Sequence, residues 1–275
     1  MGEQPQTEDL SWIGGEIDLS IPNAARMYDY YLGGAHNFAV DREQAKRAIT
    51  VIPQIVPGAR ANRAFLQRAV RYCLDRGIRQ FLDLGSGIPT VGHVHELAAR
   101  VDPPARVAYV DNEPVAVAHT TRMVADLPNV TMTQADLRHP DQVLRAPGVV
   151  DLLDFTQPVA VMLCAVLHFV ADENEAVALV AGYRDACAPG SYLVASHVHD
   201  HYDTPERIAE SLRLYSTSSN PMVLRDLERF AALLPGTTPV EPGVVYPQHW
   251  HPEPNDPLPE HPERVGYYVT VSAIN

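Results

Sequence analysis

The feature that most constrains this 275-residue chain is a series of short apolar runs alternating with helical stretches. Strand-like runs fall at Gln80–Leu84, Arg106–Val110, Asn129–Thr133, Val159–Cys164 and Ser191–His197, with two more near Val240–Gln248 and Arg264–Ala273. The first two contain Phe-Leu-Asp-Leu and Val-Ala-Tyr-Val, with little polar alternation. A strand that is apolar on both faces needs cover on both, which implies a parallel, doubly wound sheet. Helical stretches at His93–Arg100, Pro114–Ala125, Pro140–Leu144 and Asp172–Ala188 separate the first five strands, the last opening on an Asp172/Glu175 capping box. The expected class is α/β.

Residues 1–78 read differently, as a loose tail followed by a helical cap, ahead of an α/β domain over 79–275. The first helix spans Pro22–Leu32 and stops at Gly33-Gly34. A second starts at Asp41, with Gln44 three residues on as a capping box. The third, Gly58–Arg76, repeats Phe65/Leu66, Ala69/Val70 and Cys73/Leu74 at four-residue steps, a single apolar stripe. Trp250–Pro262 is rich in Pro, Glu and His and reads as an exposed loop, with His249, His251 and His261 on the surface.

Composition removes several function classes. A net charge of −13 opposes binding to phosphate backbones, so no nucleic-acid partner is expected. Lys46 is the sole lysine and follows no glycine, so no Walker-type phosphate loop exists. Met1–Ile17 is polar and acidic, unlike a signal peptide, and no apolar run reaches the length of a membrane span. The three cysteines, Cys73, Cys164 and Cys187, have neither metal-ligand nor disulfide spacing. A cytoplasmic protein without a bound metal is expected.

In an open parallel sheet, ligands bind beyond the carboxyl ends of the strands. There the chain places Asp83, Gly85, Ser86 and Gly87 after the first strand, and Asp111, Asn112 and Glu113 after the second. Asp136 and Leu137 follow the third, and Cys164 to Phe169 the fourth. The glycines alone would suit a dinucleotide, but the third glycine position holds Thr90, and Asp83 would set a carboxylate against a pyrophosphate. S-adenosylmethionine fits these acids better. Its ammonium pairs with Asp83, its ribose hydroxyls donate to Asp111, and its adenine amine donates to Asp136 beside an apolar wall at Leu137.

Asp83-Leu84-Gly85-Ser86-Gly87, Tyr109-Val110-Asp111-Asn112-Glu113 and Ala135-Asp136-Leu137 together resemble the class I methyltransferase pattern over residues 79–200. The stretch from Ile21 to Phe38, Ile-Pro-Asn-Ala-Ala-Arg-Met-Tyr-Asp-Tyr-Tyr-Leu-Gly-Gly-Ala-His-Asn-Phe, resembles a narrower bacterial S-adenosyl methyltransferase family long described as a domain of unknown function. The resemblance implies a Rossmann-like, seven-stranded, mostly parallel sheet and S-adenosyl-L-methionine as cofactor. It supplies no methyl acceptor and no oligomeric state.

In-line methyl transfer asks the protein to align a nucleophile, remove its proton and exclude water. Tyr28 and Tyr31 on the first helix are expected to form a lid, and Arg60 and Arg63 to hold an acceptor carboxylate. His168, past the fourth strand, is the first candidate base, with His36 and His197 behind it. His197, His199 and His201 alternate at the end of the fifth strand, a weak metal pattern. The leading function is methylation of a small-molecule acceptor. The alternatives are a non-catalytic module that binds S-adenosylmethionine or S-adenosylhomocysteine, and an NAD-dependent oxidoreductase, which Asp83 and Thr90 disfavour.

Overall fold

The computed structural model describes residues 13, 18–90, 92–254, 256 and 259–275. Of the expected N-terminal tail, Ile13, buried against Ile88, Val115 and Ala116, and residues 18–21 are described; the rest lies outside the described residues. Helices α1 (Ala24–Tyr31), α2 (Ala39–Val51) and α3 (Ile55–Asp75) precede β1 (Gln80–Leu84). There follow α4 (Val94–Ala98), β2 (Arg106–Asp111), α5 (Pro114–Met123), β3 (Val130–Gln134), α6 (Pro140–Arg145), α7 (Pro147–Val150), β4 (Ala160–Cys164) and α8 (Glu173–Ala186). The chain ends with β5 (Ser191–Val198), α9 (Pro205–Ser216), α10 (Leu227–Ala232), β6 (Thr237–Pro239) and β7 (Tyr267–Ile274).

The seven strands form one sheet in the order β3-β2-β1-β4-β5-β7-β6. β1 to β5 are parallel, and β7 runs antiparallel between β5 and β6. The sheet is thus Rossmann-like and mostly parallel, as the doubly apolar strands imply. Each face has its own core. Leu82, Leu84, Val161 and Leu163 meet Leu179 and Tyr183 of α8, while Phe81, Val107 and Met162 meet the Phe65-to-Leu74 stripe of α3. α3 therefore flanks the sheet, whereas α1 and α2 share a small cluster with Tyr215 of α9. Among the described residues no helix is long and apolar enough to cross a membrane.

Four local expectations differ from the structure. The strand expected at Val240–Gln248 is absent. Gly243 N–H turns back to the Val240 carbonyl, Pro242 and Pro247 lack amide donors, and only Val245 makes an isolated bridge, to Val269. The sixth strand is the shorter Thr237–Pro239. α2 begins at Ala39, so Asp41 stands in its first turn and takes the Phe38 N–H instead of capping the helix itself. Two helices that the sequence reading did not mark, α9 and α10, follow β5. Pro205 opens α9 behind Thr204, and Asp226 caps α10 by accepting the Arg229 N–H. The Trp250 end of the expected exposed loop is in the core. Trp250 packs edge-on against Phe65 and Tyr72, and Arg68 donates to its carbonyl at 2.9 Å.

One face of α1 ties the cap to the sheet. Arg26 is 3% exposed and donates from Nε to Asp41 at 2.8 Å, from Nη1 to Glu113 at 3.0 Å and from Nη2 to the Ile21 carbonyl at 2.8 Å. Asp41 also accepts the Asn23 and Phe38 N–H groups, each at 2.9 Å. One turn on, Asp29 accepts the His36 N–H, the Asn37 amide and, at 2.6 Å, the Thr90 hydroxyl. A Cβ at position 34 would lie 1.9 Å from Asp29 Oδ1, which accounts for the second glycine of Gly33-Gly34. Arg26 thus reaches the loop after β2 and Asp29 the loop after β1. Arg26→Ala strands two buried carboxylates and should cost about 3–5 kcal/mol of unfolding free energy in urea titrations; a cost below about 1 kcal/mol would show the network to be dispensable.

Candidate functional site

A cavity of about 550 Å³ lies beyond the carboxyl ends of β1 to β4, under α1, α3 and α9. That volume suits a nucleoside-sized ligand with room beside it. Of the sequence candidates, Asp83, Gly85, Ser86, Gly87, Asp111, Asn112, Asp136, Leu137, Cys164, His168, Tyr28, Tyr31 and Arg63 all line it.

The loop after β1 is shaped by its glycines and by Asp111. Gly85 has φ +69°, and a Cβ there would meet Val166 Cγ1 at 2.3 Å, so glycine answers both the backbone and the packing. Asp111 accepts the Gly87 N–H at 2.7 Å and the Glu113 N–H at 2.9 Å, fixing the two loops against each other. Burial pushes its carboxyl above the ordinary range, against those backbone donors. Each oxygen keeps capacity for a further donor.

Asp83 lies on the Phe81 face of β1, under α3. It is 5% exposed, and its carboxylate accepts no hydrogen bond among the described residues. Burial raises it to about 7; the charge of Arg63 opposes the rise and that of Asp111 adds to it. Arg63, on α3, has a buried Nε without a partner, and the adjacent Asn62 has a buried Oδ1 without one. An unpartnered carboxylate and an unpartnered guanidinium N–H on one cavity wall suit a zwitterion.

At the β3 end, Arg138 grips Asp136 with Nε at 2.9 and 3.0 Å and holds it below the ordinary carboxylate range. The Leu137 carbonyl accepts the Tyr183 hydroxyl at 2.8 Å, while the Leu137 side chain lies close to Gly85. After β4, Ala165 adopts φ +58°, a strained conformation on the cavity wall, held by its N–H to Ser196 Oγ at 2.8 Å.

The three candidate bases part company. His168 is buried in a 3-10 turn on the cavity wall, its Nδ1 without a partner, and burial holds it well below 6.5, helped by His197 and Arg225. His197 does not line the cavity. It is sealed behind His168, with Nδ1 on the Val198 carbonyl at 2.7 Å and Nε2 facing Arg225 Nη1 at 2.8 Å, and burial lowers it to about 3. The same buried Arg225 also donates to the Leu167 and Val170 carbonyls and so shapes the loop that carries His168. His36 is exposed and packs on His119 of α5, away from the cavity. Arg60 is likewise exposed on α3 and does not line it. His197, His199 and His201 do not converge, and among the described residues no group of three His, Cys, Asp or Glu is placed to hold a metal.

Sequence reasoning missed the other half of the wall, formed by Asn62, Tyr202, Ser211, Tyr215 and Tyr267. No motif joins these residues, since they come from α3, the loop before α9, α9 itself and the start of β7. It also passed over Arg26, the one basic residue on the buried face of α1 that also carries Asp29.

A family model described as S-adenosyl methyltransferase matches residues 11–275. A Thermobifida fusca protein described as a candidate methyltransferase is 38% identical, with 94% of this chain and 97% of that one covered and a TM-score of 0.86. A DUF574 family protein from Streptomyces avermitilis is 35% identical over 94% of this chain and 100% of its own, with a TM-score of 0.89. No curated protein matches.

The raised Asp83 carboxyl predicts that binding of an ammonium beside it depends on pH. A folded-state value near 7, above the unfolded 3.8, means that the protein without ligand loses stability as pH rises from about 4 to about 7. A ligand ammonium needs the ionised form, so its affinity should rise with pH up to about 7 and level off above. Calorimetry of S-adenosylhomocysteine from about pH 5.5 to 7.5 should show that rise, and Asp83→Asn should abolish it. A flat profile in the parent protein would exclude ammonium pairing at Asp83.

Proposed function

Because the chain belongs to the S-adenosyl methyltransferase family, we propose that its cavity is where a methyl group passes in line to a small-molecule acceptor. S-adenosyl-L-methionine is the cofactor; when bound, it supplies a methyl group activated by a sulfonium. The residues present fit it. We assign Asp83 to its ammonium and Arg63 to its carboxylate, which moves Arg63 from the acceptor role expected for it. Gly85, Ser86 and Gly87 give its chain a close backbone approach, Asp111 and Asn112 hold the ribose, Asp136 and Leu137 border the adenine end, and Cys164 lies by Asp83 and Arg63 at the amino-acid end. The observation that carries this reading is the buried Asp83 carboxylate beside the glycine loop, which accepts no hydrogen bond among the described residues and feels the charge of Arg63, whose Nε is unpartnered.

The cap decides the size of the acceptor. Tyr28 and Tyr31 of α1 and the α9 segment roof the cavity, which leaves room for a small molecule and excludes water from the reacting centre. We draw the functional boundary accordingly: α1, α2 and α9 form the lid, and α3 belongs with the cofactor domain. We assign removal of the acceptor proton to His168, whose Nδ1 is unpartnered on the cavity wall. Its depressed basicity keeps it neutral at physiological pH and makes it a weak base, so it suits an acceptor that loses its proton as the new bond forms. That weakness also favours a second reading, a module that binds the cofactor or its demethylated product without chemistry.

Calorimetry with S-adenosylmethionine and S-adenosylhomocysteine tests the cofactor reading, and binding of neither would sink it. Methyl-labelled cofactor incubated with a metabolite extract separates the two functions: transfer at enzymatic rates establishes the enzyme, and tight binding without transfer establishes the module. Asp111→Ala should weaken cofactor binding by about 1.5–3 kcal/mol, the range for lost charged hydrogen bonds. An unchanged dissociation constant would place the ribose elsewhere.

A further inference from the structure

The part of the cavity lined by the cap and α9 has a chemistry of its own. Its wall carries Tyr28, Tyr31, Tyr202, Tyr215 and Tyr267, brought together from α1, the loop before α9, α9 itself and β7. Tyr28 is fully used: its hydroxyl donates to the Ala59 carbonyl at 3.0 Å and accepts from Asn62 at 3.1 Å. The others are not. Tyr31 and Tyr215 share one hydrogen bond at 3.0 Å, so one of the two O–H groups still seeks an acceptor. The Tyr267 hydroxyl makes no hydrogen bond among the described residues. Ser211 Oγ, on a residue 1% exposed, lies close enough to Tyr202 to share at most one hydrogen bond with its hydroxyl, so one of those two O–H groups also lacks an acceptor.

An O–H group left without an acceptor is costly, and the spare ones on this cavity wall point to a ligand that satisfies them. The groups that face Tyr31, Tyr215 and Tyr267 are other tyrosines. Burial raises the pKa of all three phenols, so they stay protonated and neutral. Among the described residues, the lining charges border this wall at two points only, Arg63 over the Tyr28 ring at 5.8 Å and the exposed Arg264 before Tyr267. Arg63, Asp83 and Asp111 surround the glycine loop, Glu175 stands near Arg138, and Arg264 is exposed.

We propose that this tyrosine wall is the acceptor subsite, and that it takes an uncharged, flat aromatic molecule presenting hydroxyl or carbonyl oxygens to Tyr267, Ser211 and the Tyr31–Tyr215 pair. Phenol rings give such a molecule broad apolar contact and oriented edges. The free hydroxyls answer its oxygens. An ammonium finds no countercharge beside Tyr31, Tyr215 and Tyr267, and a carboxylate finds Arg63 already taken by the cofactor carboxylate and Arg264 out in solvent, so either ion loses its hydration on entry. The inference rests on the reading that the glycine-loop half of the cavity holds S-adenosylmethionine.

Protein saturated with S-adenosylhomocysteine is titrated in a calorimeter at about pH 7 with 2-naphthol, 2-naphthoate and 2-naphthylmethylammonium. The neutral naphthol should bind, with both ions at least about tenfold weaker. Tyr267→Phe and Ser211→Ala should each weaken 2-naphthol about two- to tenfold, and leave the affinities for naphthalene and S-adenosylhomocysteine unchanged. Absence of naphthol binding, or either ion within about tenfold of it, overturns the subsite. So does a substitution that leaves naphthol unaffected or weakens naphthalene equally. Failure to bind S-adenosylhomocysteine overturns the cofactor reading, and this inference with it.

Discussion

The buried guanidinium of Arg26 is the contact on which the architecture of the site depends. It joins Asp41 of the cap to Glu113 of the loop after β2, and all three side chains lie almost wholly out of water. Such a network is stable only when every lone pair and proton is answered, and here backbone groups of Ile21, Asn23, Phe38 and Ala116 complete it. Its consequence is positional. α1 is held over the cavity by the same loop that carries Asp111, so the roof and the floor of the site share one frame.

That frame divides the cavity by electrostatics. The sheet side offers carboxylates, glycine N–H groups and Arg63, a surface fit for a charged and strongly hydrogen-bonding ligand. The cap side offers phenols, a serine and apolar side chains. The two meet at Tyr28, which feels the charge of Arg63 and the thiol of Cys164 and stands near Tyr267. The two halves thereby favour ligands of different charge without a moving part.

Legibility in the sequence followed the range of the interaction. The glycine loop and the acids after β1, β2 and β3 were readable because strand periodicity alone puts them at the carboxyl edge of the sheet. The α3 stripe was readable for the same reason at helical period. Asp41 was misread as a helix cap, since its spacing to Gln44 satisfies the local rule while its partner Arg26 lies a helix away. His197 looked available at a strand end, yet its surroundings are set by Arg225, 28 residues on. The strand expected at Val240–Gln248 failed because prolines without amide donors outweighed an apolar pattern.

The sequence by itself determined the doubly wound sheet and the chemistry of the cofactor end, because both follow from periodicities of two and 3.6 and from residues at strand ends. Only the tertiary structure decided where the cap sits, which histidine reaches the cavity and what lines the acceptor side. Those depend on contacts between segments far apart in the chain, such as Tyr31 with Tyr215 and Asp29 with Thr90. No local pattern encodes such a meeting; it exists once burial of the two sheet faces has fixed the loops that carry it.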